Sequence, residues 1–481
     1  MGHDKVHFDL DKEHYKFEGS IKTMTIVFMA LGLLGAIWAF FDNGGWNHHA
    51  RFWSNFLLNS YYFNAMALTA VFFIAAHTIG YGGWIASVKR IFESFSSFIL
   101  IGFICFLIII AGLWFDWHSL YHHWTHPAPG DTIVGDKIAF LNKGMYTALA
   151  LLFFAGWILF SQWFRKHSLE SDYMVDEISY NQKSKYIAAG YIVFFGVGTS
   201  VFSWLALMSL DPHWYSTLFG WYNFASYMCG FLCMTILIIL ILKAKGQLTY
   251  VNDSHMHNIV LFLFGFSVFW TYLWFSQFML QWYGNIPEDT MWFVKRFEVP
   301  MFKAFFWVAF IINFIFPFLF LMKRTAKRNP WIYGIAAVIL LFGHYLDFYS
   351  MVMFEPNAVP HHHEEAKHDA SHASSKTSTL KLYADNHTTD SSHSVSPAVD
   401  AAAPVTESSA HPNIASSDHK ADAHADGHAV EGHHATLGLI EILMFIGFIG
   451  LFLFVILSTL SKNRLVPLKS PFLEESLNYH T

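Results

Sequence analysis

Ten solid blocks of about 20 apolar residues recur along the chain, at roughly 22–41, 55–79, 95–115, 143–164, 187–210, 221–242, 258–283, 301–322, 331–353 and 437–460. The hydrocarbon core of a bilayer is about 30 Å thick, which an apolar helix of about 20 residues crosses. Inside it every backbone polar group must find its partner within the segment, so each block reads as a helix. The blocks predict an all-α, polytopic integral membrane protein with about ten transmembrane helices. Composition agrees: 54% of the 481 residues are hydrophobic and only 13% charged, against about 25% charged in soluble domains. A β-barrel would show ten-residue alternations instead of solid blocks. The net charge of −6 selects no partner class, and no basic patch of the kind that binds nucleic acid is present.

The connections alternate in basic residues. One side carries Lys5, Lys12, Lys16, Lys22, Lys89, Arg90, Arg165, Lys166, Lys183, Lys185, Lys243, Lys245, Lys323, Arg324, Lys327 and Arg328, then Lys462, Arg464 and Lys469 in the tail. The other holds Arg51, Lys137, Lys143, Lys295, Arg296 and Lys303. The positive-inside rule then places both termini in the cytoplasm, as an even number of spans requires. The first twenty residues are polar and charged, so the first span is expected to act as an uncleaved anchor. Cys105, Cys229 and Cys233 all lie inside spans. They form no Cys-x-x-Cys pair and read as small buried hydrophobes.

This divides the chain into a cytoplasmic segment 1–21, a first helix with its connection 22–54, a four-helix bundle 55–210, a second bundle 221–353, a loop 357–436, a last helix 437–460 and a cytoplasmic tail 461–481. The loop, from "HHHEEAKHDASHASSK" to "SSDHKADAHADGHAVEGHH", is too polar to bury a core and is expected to be a disordered outer spacer. The alternative for its histidines is weak chelation of divalent metal. The two bundles rest on a repeat: "GTSVFSWLALMSLDP" (198–212) and "FGHYLDFYSMVMFEP" (342–356) align without a gap, each closing an outward-running span, four spans apart. A weaker echo sets "GLWFDW" beside "QFMLQW" at the ends of spans three and seven.

An ionisable group inside a span costs at least a few kcal/mol and is a functional candidate by default. His344, Asp347, Met351 and Glu355 fall on one helix face. Asp347 to Glu355 is roughly 12 Å of rise, enough to reach the outer surface. A histidine beside a carboxylate suits proton transfer; the competing reading is a hydrogen-bonded pair that fixes helix packing. In the first copy of the repeat Ser200 and Ser203 stand where His344 and Asp347 stand in the second, and Asp211 matches Glu355. Only the second copy carries the deep ionisable pair.

Further candidates for a proton path are His77, near the inner end of span two, and Asp116 and Asp211, which close spans three and five. Interfacial groups of this kind also occur for solvation alone. Gln277 and Gln281, four apart in span seven, suit either a quinone-side polar contact or hydrogen bonding between helices. The loop "DWHSLYHHWTHP" gathers His118, His122, His123 and His126, weak metal candidates because their spacing matches no strong motif. Before span seven, "NDSHMHN" reads as an N-cap from Asn252, Asp253 or Ser254, or as a proton inlet through Asp253, His255 and His257. Pro317 deprives the Asn313 carbonyl of its helical donor and predicts a kink in span eight. Glu441 falls in the first turn of span ten, where the helix dipole favours an anion. A bis-histidine haem needs two histidines at one depth. His77 near the inner face and His344 in the outer half do not supply them, so no redox centre is expected in this chain.

The ten-span layout with two four-helix units resembles the NrfD/polysulfide-reductase membrane subunits. The strings "WTYLWFSQFMLQWYGNIPEDT" (270–290), "SLDPHWYSTLFGWY" (209–222) and "FGHYLDFY" (342–349) look closer to the F subunits (ActF) of bacterial alternative complex III, a quinol:cytochrome c oxidoreductase. The resemblance spans about 20–356 and the last span. It implies a subunit of the bacterial inner membrane in a complex that oxidises quinol. Electrons would pass through iron–sulfur and multihaem cytochrome c partner subunits towards cytochrome c or a terminal oxidase. A sister NrfD-like subunit is the better place for the quinol pocket. For this chain the expectation is a proton pathway along His344, Asp347 and Glu355, with Asp116, Asp211 and Gln281 at its outer rim, in contact with lipid. Two other classes compete. A proton-coupled transporter predicts broken spans at matching places in both halves, and Pro317 has no counterpart in span four. A structural assembly subunit predicts that the charged pair is dispensable.

Overall fold

The computed structural model describes residues 14–42, 49–172, 177–354, 437–467 and 470–480. Glu355 and the His-rich loop lie outside them. Among the described residues ten helices are long and apolar enough to cross a membrane. They are span 1 (Ser20–Phe41), span 2 (Ala50–Ile79), span 3 (Lys89–Trp114), span 4 (Lys143–Glu170), span 5 (Gln182–Leu210), span 6 (Leu218–Ala244), span 7 (Asp253–Gly284), span 8 (Pro300–Leu321), span 9 (Pro330–Val352) and span 10 (Leu439–Leu460). The chain is all-α.

Several spans start earlier than the apolar blocks do, because paired polar residues enter the helix. Span 2 begins at Ala50, with Arg51 bonded to Glu441 of span 10 through Nε to Oε1 at 2.7 Å and Nη2 to Oε2 at 3.0 Å. Span 3 opens with Arg90, which bonds Glu93 at 3.0 Å and Asp172 at 2.6 Å. Span 7 begins at an Asn252 N-cap whose side chain accepts from the Ser254 and His255 backbone, with His255 returning the capping-box bond. In span 8 the break ahead of Pro317 takes the form of a π turn, Ile311–Ile315. One residue of extra winding accommodates the missing donor.

Spans 2, 3, 4 and 5 form a ring in which each packs on the next and span 5 returns to span 2; spans 6, 7, 8 and 9 repeat that ring. The rings meet where span 2 packs on span 6, span 5 on span 6 and span 9 on span 2. Exchanging the two rings maps this set of contacts onto itself. An even offset of four spans makes the copies parallel, with their pseudo-two-fold along the membrane normal. The central pair carries a matching signature: Trp53, Asn55 and Phe56 at the head of span 2 against Trp221, Asn223 and Phe224 at the head of span 6. Burial follows the same plan, with 72% of the apolar window of spans 2 and 9 and 83% of span 6 buried, against 22% of spans 1 and 8. Spans 1 and 10 pair outside the rings through glycines. A Cβ on Gly32 would lie 2.3 Å from the Gly447 Cα, and a Cβ on Gly35 would strike Leu443. Span 10 then packs on spans 2 and 3.

Candidate functional site

Span 9 stands between the rings and points different residues each way. Asp347, almost fully buried, faces spans 6 and 7. The Tyr222 hydroxyl donates to its Oδ1, and the Trp270 indole N–H donates to Oδ2 at 3.2 Å. His344, one turn earlier and fully buried, places Nδ1 2.9 Å from Ser226 Oγ. Tyr222 and Ser226 are four apart on span 6, matching the three-residue spacing of the pair on span 9. The Trp270 ring meets the imidazole edge-on at 5.5 Å. His344 and Asp347 thus do not form a bonded couple; each is held by a side chain of span 6. Buried His344 Nε2 has no hydrogen-bond partner among the described residues. Gly343 lets this part of span 9 lie against the π turn, since a Cβ there would fall 2.3 Å from Asn313 Oδ1. Asn313 is buried with both amide atoms unbonded among the described residues.

The Asp347 carboxyl lines a cavity shared with Tyr222, Trp274, Gln277, Arg296 and Phe306. Its free space suits a few water molecules rather than a ring. Gln277 is buried, and its Oε1 has no hydrogen-bond partner among the described residues. Helix Pro287–Glu298, which links spans 7 and 8, supplies Arg296. The Arg296 guanidinium sits 3.6 Å over the Trp292 ring and 4.2 Å over the Phe354 ring. Trp292 in turn stacks on Trp214 at 4.5 Å. Gln281 Oε1 accepts from the Trp214 indole at 3.2 Å, and its amide donates to the Tyr215 carbonyl at 3.3 Å. The Trp214 backbone N–H bonds the Asp211 carbonyl. Aromatic stacking and hydrogen bonds therefore link the Asp347 cavity to the loop that carries Asp211 and contacts Gln281.

The remaining sequence candidates fall elsewhere. Asp116 belongs to the first ring: its carboxylate takes the Lys143 ammonium at 2.8 Å, and that bond holds it below the usual carboxylate range. Its bond goes to Lys143, and among the described residues none joins it to Asp211 or Gln281. His77 bonds its own helix at the Phe73 carbonyl, 2.9 Å away, and packs on Trp84 and Phe262 at the end of the bundle that carries the termini. His118 is buried against Trp53 and bonds the Ile109 carbonyl at 3.0 Å, while His122 stacks on His126 at 5.1 Å. Among the described residues no three His, Cys, Asp or Glu side chains are placed to hold a metal ion. In the first ring Ser200 and Ser203 spend their hydroxyls on carbonyls of their own helix, Gly196 and Ser200. Only the second ring turns this position outward to neighbouring spans.

Sequence reading missed Tyr222, Ser226, Trp270 and Arg296. The one usable signal was the parallel spacing of Tyr222 and Ser226 against the pair on span 9. The chain matches no protein-family model and no curated protein.

Proposed function

We propose that this chain is a membrane subunit of a quinol-oxidising respiratory complex and serves there as a proton-transfer element, with Asp347 as the proton-accepting group. The observation that carries this reading is the setting of Asp347. A carboxyl group deep in the bundle is held by Tyr222 and Trp270 and faces a small polar and aromatic cavity with Gln277 and Arg296. A buried carboxyl in contact with water-sized space is equipped to take up and release a proton. Gln281, bonded to Trp214 and Tyr215, and Asp211 on the same loop are the proposed outer end of the path. The resemblance to alternative complex III subunits supports the wider setting: the bacterial inner membrane with both termini cytoplasmic, quinol as substrate of the complex, and haem c and iron–sulfur clusters in partner subunits. This chain contributes proton movement and a scaffold on the quinone side.

A structural role is the second reading. Tyr222, Trp270 and Ser226 tie three spans together through the same bonds. Asp347→Asn separates the two. In proteoliposomes of the purified complex it abolishes proton release linked to quinol oxidation if Asp347 carries protons. Wild-type turnover and proton release in that variant overturn the proposal. Purification of the native chain without haem c and iron–sulfur partners would instead favour a transporter.

A further inference from the structure

At the end of the bundle opposite the termini, the segment that follows span 5 places His213 between two carboxylates. Its Nε2 lies 2.7 Å from Asp131 Oδ2, and its Nδ1 lies 4.0 Å from Asp211 Oδ1. Asp131 belongs to the connection between spans 3 and 4. Its other oxygen caps the short helix Thr132–Lys137 by accepting from the Val134 N–H at 3.1 Å. Lys137 of that helix donates to the Pro212 carbonyl at 2.6 Å and so holds the segment that carries Asp211 and His213. Two other titratable groups complete the surroundings. The His123 ring is 6.3 Å from the imidazole, and Asp289 of helix Pro287–Glu298 acts on Lys137 together with Asp131 and Asp211.

The two carboxylates are mostly covered, with side chains 14% and 13% exposed, whereas the imidazole is 42% exposed. A carboxylate at 2.7 Å accepts from a nitrogen that carries a proton, so Asp131 fixes the proton of a neutral imidazole on Nε2. The bare nitrogen, Nδ1, is then the one turned towards Asp211. Such transfer contacts are commonly long at rest and tighten when the proton moves. A bond that merely tied the two loops together would need one carboxylate, and the Lys137 bond to Pro212 already ties them. The second carboxylate, on the far nitrogen, is what a relay requires. Trp214, the next residue, stacks on Trp292 and so joins this cluster to the helix beside the Asp347 cavity.

We propose that His213 is the outer proton-release group of the pathway, taking the proton from Asp211 on Nδ1 and handing it to water, with Asp131 as the residue that positions its ring. The proposal rests on the reading of Asp347 as a proton carrier. The Asp211 O–H bond breaks as the Nδ1–H bond forms. The imidazolium then loses that proton to a water molecule and returns to its neutral form. The test follows proton release from the purified complex in proteoliposomes after a pulse of quinol, in weakly buffered medium with a pH-indicator dye. His213→Gln keeps a donor for Asp131 and slows release about a hundredfold. Imidazole added to the outer medium restores the rate in His213→Gln and does not restore it in Asp347→Asn. Wild-type release in His213→Gln, with release abolished in Asp347→Asn, overturns this proposal and leaves the role of Asp347 standing. Slow release in His213→Gln that imidazole does not restore overturns it in favour of a structural bond. Unchanged release in Asp347→Asn overturns the underlying reading. If His213→Gln lowers the melting temperature, Asp131→Asn is read in its place, since asparagine still caps the helix. Unslowed release in that variant overturns the proposal.

Discussion

Tyr222, near the start of span 6, donates its hydroxyl to the carboxylate of Asp347 in span 9, 125 residues later in the chain. The bond joins two of the most buried spans and sets the orientation of the carboxyl towards the cavity shared with Gln277 and Arg296. Trp270 takes the other carboxylate oxygen, so the group is held from two helices at once.

Tyr222→Phe removes the donor while leaving the ring against Trp270, 5.7 Å away between centroids. A hydrogen bond to a charged group contributes about 1.5–3 kcal/mol. The expected outcome is an assembled complex whose proton release falls about tenfold, a smaller loss than in Asp347→Asn. Steady-state quinol oxidation with proton release in proteoliposomes measures it, and an unchanged rate shows that the hydroxyl is packing only.

Arg51 and Glu441 form a bidentate pair, reinforced by Asp42 at 3.1 Å, with Glu441 fully buried. Breaking a buried pair from one side leaves a stranded charge and costs about 3–5 kcal/mol. Arg51→Met and Glu441→Met should each lower thermal stability strongly. The double variant should lose clearly less than the sum, because no buried charge is left unpaired; Asp42, which also loses its partner, has a side chain that is 39% exposed. A double-mutant cycle on melting temperature gives the coupling directly.

Gly32 and Gly447 bring the backbones of spans 1 and 10 together. Gly447→Leu forces them apart, an overpacking cost of about 1–3 kcal/mol or more. Gly265 in span 7 has nothing within 4 Å of a Cβ, so Gly265→Ala is the neutral control. Differential scanning in detergent distinguishes the two, and equal melting temperatures would show that the glycine contact is not needed.

His118 lies beyond the end of span 3, and burial pushes its pKa below the ordinary 6.5. The folded protein therefore binds the proton less readily than the unfolded chain does. Its contribution to stability is present above about pH 6.5 and is lost progressively as the pH falls below that value. Hydrogen exchange of residues 115–126, corrected for intrinsic rates, should quicken between pH 6.5 and 5. In His118→Asn that pH dependence should disappear.

The repeat shows how far sequence reading reached into the site. The gapless match of 198–212 with 342–356 pointed to His344 and Asp347 as the residues that distinguish the second ring. It carried no information on what they touch. Tyr222 and Trp270 are unremarkable members of a chain with 21 tyrosines and 18 tryptophans. Asp116 and Asp211 looked alike as carboxylates closing outward spans. They separate only when Lys143 claims the first and the Trp214 loop carries the second towards Gln281.

What the sequence determined alone was the set of ten helices of membrane-crossing length among the described residues. A bilayer span is a local quantity, fixed by about 20 consecutive apolar side chains and by a backbone that must satisfy itself. The limits shifted only where a polar residue had a distant partner, as Arg51 has in Glu441. Tertiary structure decided which helices are central, which glycines touch and which donors hold Asp347. Those depend on packing between segments far apart in the chain, and among spans that are all apolar the hydropathy pattern is the same whichever neighbour each one meets.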